Sequence, residues 1–113
     1  MSLAELERIV SAAEAACAAA ISQPKETLFR QHLQQALVPL VSTEFSGDDP
    51  ALAHLHDLFS HARVWADIVR TRLVDFESNR LRDPLGLAIQ NPARELLSIL
   101  TDLLHELRRA RDA

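Results

Sequence analysis

Three of the five histidines, His54, His56 and His61, fall in one short stretch together with Asp57. Imidazole and carboxylate are the ligands of zinc and non-haem iron, so metal binding is the first chemistry to consider. On a helix turning 100° per residue, His54, Asp57 and His61 lie within about a 60° arc, and Asp57 and His61 are an i, i+4 pair able to fill two positions of a site. His54 and His61 are ~10.5 Å apart along such an axis, too far to share one ion comfortably. A third ligand therefore has to come from another helix, with His32 and His105 the available imidazoles. The Glu-x-x-His repeat of di-iron bundles is absent. A plainer reading makes these histidines polar positions beside an apolar stripe.

Phosphoryl transfer is the second chemistry open to a helical histidine. A histidine phosphotransfer domain needs an exposed His, a basic residue at +3 to steady the phosphoryl group, and glycine at +4 to admit the docking partner. His105 is followed by Arg108 and Arg109, His32 by Gln35 and Ala36, and His61 has Trp65 at +4. No histidine meets both requirements. Nucleophilic catalysis has less support still, because the chain has no Gly-x-Ser-x-Gly turn and only two glycines from which to build a phosphate loop. Cys17 is the sole cysteine, so no intrachain disulfide or four-cysteine zinc site can form, and among alanines it reads as a small buried apolar residue. Asp48 and Asp49 are explained by capping a helix, and Arg63, Asp67 and Arg70 by exposed ion pairs. The chain is expected to be no enzyme and to carry no cofactor.

The elements that must position these residues are helices. Two glycines, no tyrosine and an abundance of Ala, Leu and Arg leave strands nowhere to form, and the few breakers divide the 113 residues into four segments. The first, about 2–21, has Ser2 as N-cap with Glu5 three places on. Leu3, Leu6, Val10, Ala13, Cys17 and Ala20 alternate steps of three and four, the a/d repeat of a packing seam. Seven of the nine residues 12–20 are alanine, so the seam tapers and another helix can approach closely. The second helix is expected from Pro24 to about 41, with Phe29, Leu33, Ala36, Leu37, Leu40 and Val41 as its apolar face and Pro39 kinking or ending its last turn.

Residues 42–49 read as a loop, and Asp49-Pro50 opens a long third helix to about 81. Leu52, Leu55, Phe59, Ala62, Ala66, Val69, Leu73 and Phe76 form its stripe, widened by Leu58, Trp65 and Ile68. Asn91-Pro92 opens the fourth helix, whose core positions are Leu96, Leu100, Leu103 and Leu107. The connection before it is apolar at Leu85, Leu87, Ala88 and Ile89, which either closes the end of the bundle or forms an exposed docking segment. The expectation is a single all-α domain over 1–113, an antiparallel four-helix bundle with one long helix at about 50–81. That helix would exceed the others by about ten residues and leave seam uncovered, which points to a homodimer.

Charge narrows the partners. The net charge is −4, residues 1–49 carry three basic and seven acidic side chains, and residues 50–113 carry nine of each. Neither half is the basic surface nucleic acid needs. Glu5, Glu7, Arg8 and Glu14 interrupt the first helix, arguing against an export signal, and no run of ~20 uncharged apolar residues suits a membrane span. The sequence thus predicts a cytoplasmic protein–protein interaction module, an adaptor, chaperone or inhibitor, that self-associates. A bundle binding a metal or small ligand through His54, Asp57 and His61 is the alternative, and a phosphotransfer intermediate a more distant one. Trp65, with Arg72 on the same side, and the small face of Ala12, Ala16 and Ala19 are the expected partner surfaces.

Overall fold

A computed structural model describes residues 3–43, 53–79, 81–82 and 86–112 of the chain. Four helices account for nearly all of them: α1 (Leu3–Ser22), α2 (Thr27–Ser42), α3 (Ala53–Glu77) and α4 (Leu87–Asp112). They form a ring in which α1 packs on α2 and α4, and α3 on α2 and α4. Neighbours run antiparallel. Gln90 at the start of α4 donates to the Ile21 carbonyl at the end of α1 (2.9 Å), and Arg63 of α3 donates to the Val41 carbonyl at the end of α2 (3.0 Å). The fold is the antiparallel four-helix bundle expected from the sequence.

The seams explain the ring. Leu6, Val10, Ala13, Cys17 and Ala20 of α1 are buried, as the alternating three–four spacing requires. They meet Leu33, Leu37 and Leu40 of α2, Phe59, Ala62, Ala66, Val69 and Leu73 of α3, and the leucines of α4, in one continuous core. The apolar interior excludes water along each seam and is the main source of stability. No helix among the described residues is long and apolar enough to cross a membrane.

The helix boundaries differ from the sequence reading in three places. Pro24 does not open α2. Residues around it form a turn closed by the Glu26 amide on the Gln23 carbonyl (3.2 Å), and the helix begins at Thr27. The third helix does not reach 81, because Asn79 adopts a left-handed conformation (φ 58°), and the Leu81 amide turns back to the Asp75 carbonyl (3.2 Å). Asparagine tolerates that conformation better than most residues and so ends a helix cheaply. The start at 50–52 lies outside the described residues. The fourth helix begins not at Pro92 but at Leu87, directly after Gly86 (φ 74°), so much of the supposed apolar connection is helical.

These shifts remove the length mismatch between α3 and α4, which have 25 and 26 residues, or ~37 and ~39 Å. The short helix is α2, with 16 residues. It ends beside Arg63, so segment 53–62 of α3 runs on past it. Ile89 is buried and closes the end of the bundle, as one of the two readings of that segment expected, whereas Leu87 stays 45% exposed and Leu85 lies outside the described residues.

Candidate functional site

His54, Asp57 and His61 all lie on the solvent side of α3, and the Asp57 carboxylate is 87% exposed. Its nearest imidazole is that of the adjacent His56, at 4.0 Å. His32 on α2 and His105 on α4 are also exposed. Glu106 of α4 lines a surface depression together with His54, but it does not complete a set of three ligands. Among the described residues, no three His, Cys, Asp or Glu side chains come together to hold a metal ion.

The residues expected to bind partners divide into several roles. Trp65 is half-buried against the core, while Arg72 donates from Nη1 to the Ala88 carbonyl (2.8 Å). An ordinary residue at position 92 would give its amide to that carbonyl; Pro92 has none, and the Arg72 guanidinium donates there across the α3–α4 interface. Ala16 packs partly into the core, Ala19 is half-buried, and Ala12 is exposed. Cys17 is fully buried, and desolvation, assisted by the charge of Glu14, pushes its thiol up to about 12. It is an apolar packing group, not a nucleophile.

The most chemically distinctive place was not singled out from the sequence. At the pole where α1 and α3 end and α2 and α4 begin lies a cleft of about 660 Å³. Arg30 lines it yet is only 7% exposed, and its guanidinium sits over the Phe76 ring, 4.5 Å from the centroid. Nη1 donates to the Pro24 carbonyl (3.0 Å) and Nη2 to Thr27 Oγ1 (3.2 Å). Nε is enclosed without an acceptor. The turn at Pro24 is thus tied to α2 by the same side chain that stacks on α3.

Lys25 and Arg82 stand exposed on the rim, and Leu81 and Ile89 provide apolar wall. Gly86 completes it by close approach, since a Cβ added there would lie 2.9 Å from Pro24 Cβ. The signal for Arg30 was present in the spacing. Stepping back from Leu40 through Leu37 and Leu33 in alternate threes and fours lands on Arg30, so the buried cation occupies a seam position of α2. Compared with protein-family models, with curated proteins and with solved structures, the chain matches none.

Proposed function

We propose that this chain is a non-enzymatic, cytoplasmic interaction module that self-associates and acts on other proteins, as adaptor, chaperone or inhibitor, by presenting helix faces. The observation that supports this reading is the composition of the outer face of α3. Arg63, Asp67, Arg70 and Asp75 alternate in sign along it, and Val64 and Val74 are 56% and 40% exposed. Reversed end to end about position 69, the same face brings Arg63 towards Asp75, Val64 towards Val74, and Asp67 towards Thr71 beside Arg70. A two-fold interface requires such self-complementarity, because each side meets its own surface inverted. Val38 and Leu28 of α2 are also exposed, at 46% and 56%.

Sedimentation equilibrium over a wide concentration range tests the reading. Dimerisation is expected to weaken in Asp67→Arg, which brings like charges towards one another, and to recover when Arg70→Asp is added. A chain that stays monomeric at high micromolar concentration overturns it. No observation favours the metal or phosphotransfer readings over this one.

A further inference from the structure

We propose that the cleft around Arg30 is a binding site for a small amphipathic organic carboxylate. The carboxylate pairs with Arg30, Lys25 and Arg82, and its apolar body lies along Leu81 and Ile89. The site is independent of the self-associating face of α3.

The argument begins with a charge. Arg30 is more than nine-tenths buried, and both acceptors it reaches, the Pro24 carbonyl and Thr27 Oγ1, are neutral. Removing a guanidinium from water is costly unless an opposite charge and hydrogen bonds replace its hydration. Stacking on Phe76 returns part of that cost, while Nε is sealed from solvent without an acceptor, so a counter-ion can reach the charge only where Arg30 lines the cleft. Among the described residues lining the cleft there is no carboxylate, whereas two further cations stand at its mouth. An anion from solution supplies what the described lining lacks.

Two further features favour an anion there. α2 begins at this pole with no side-chain cap on its first amides, which leaves donors open to an acceptor there, although the ends of α1 and α3 at the same pole offset the helix dipoles. Apart from Asn79 the rest of the described wall is apolar, and a cleft of about 660 Å³ is of the size that takes a small organic molecule rather than a bare inorganic ion. Recognition by a few placed cations beside apolar surface selects a carboxylate with a hydrocarbon body.

Octanoate is a suitable probe, followed by titration calorimetry and by amide chemical shifts of Arg30, Phe76 and Ile89, with octan-1-ol and inorganic phosphate as controls. Saturable binding of octanoate at one site, with shifts confined to this pole, is expected. The exposed pair Lys25→Gln and Arg82→Gln should weaken it by roughly tenfold and flatten its salt dependence. Arg30→Met, of similar length and without the charge, should abolish binding while leaving the fold at least as stable. If that variant does not fold, the rim pair alone decides. Equal binding of octan-1-ol or phosphate, an unchanged affinity in the rim pair, or no binding to the wild-type chain overturns the proposal. So does binding that emerges only in Asp83→Asn, which would show that the chain supplies its own anion.

Discussion

Glu7, near the start of α1, accepts two hydrogen bonds from Nη1 of Arg111, near the end of α4, at 2.8 and 2.7 Å. Arg108 adds a third at 3.3 Å. The Glu7 carboxylate is 16% exposed, but the two guanidiniums are about half exposed, so water and salt screen the network. Replacing Arg111 with alanine is expected to lower the melting temperature slightly in dilute buffer. In 1 M salt the difference from wild type should disappear, and a loss that persists there would assign Arg111 a packing role.

The buried thiol gives a pH prediction. With the Cys17 thiol pushed up to about 12 from the ordinary 9.0, the folded state holds its proton over a range in which the unfolded state releases it. Stability therefore falls as pH rises from about 9 towards 12 and is insensitive to this group below that window. Cys17→Ala should flatten the slope in urea titrations over the same range. At pH 8 the native thiol should resist alkylation and react only as the bundle opens.

Gly86 is predicted to be intolerant of a side chain. Alanine there would meet Pro24 at 2.9 Å and have to adopt φ 74°. A cost of about 1–3 kcal/mol in urea unfolding is expected, from strain in the left-handed conformation together with the contact. Octanoate binding should weaken too, because the wall of the cleft moves. An Ala variant as stable as wild type would show that the turn relaxes freely.

Arg72 and Pro92 should be energetically coupled through the Ala88 carbonyl. In Pro92→Ala the backbone amide at 92 is restored and competes for the acceptor that Arg72 reaches at 2.8 Å. Arg72→Ala is then expected to cost less in the Pro92→Ala background than in wild type, by about 0.5–1 kcal/mol in a double-mutant cycle. Additive effects would show that the guanidinium does not stand in for the missing amide.

The seams were the most legible part of the sequence. Leu6, Val10, Ala13, Cys17 and Ala20 could be placed in the core because their spacing has one helical explanation, and all five are buried. Prolines misled where they were treated as helix starts. The fourth seam runs Ile89, Ala93, Leu96, Leu100, Leu103 and Leu107 without a break in step, so periodicity carried the helix back past Pro92. The second seam likewise continues to Arg30, and the rule that seams are apolar hid it. The third stripe ends at Phe76, and Asn79 shortly after it is a residue that tolerates the left-handed conformation, so the stop was readable before 81. The cleft itself was not legible, since its described lining comes from three stretches, Pro24 to Arg30, Phe76 to Arg82 and Gly86 to Ile89, that only the closed ring brings together.

The ring order also governs how the chain can be made. The small seam of α1 is closed on one side by α4, and the Gln90 side chain that ties the two helices reaches back 69 residues to Ile21. During synthesis from the N-terminus, Ala13, Cys17 and Ala20 emerge early and meet that neighbour only after α2 and α3 have been made. The first three helices therefore leave the ribosome as an open trough with its apolar floor exposed, and closing it is the work of the last helix to appear.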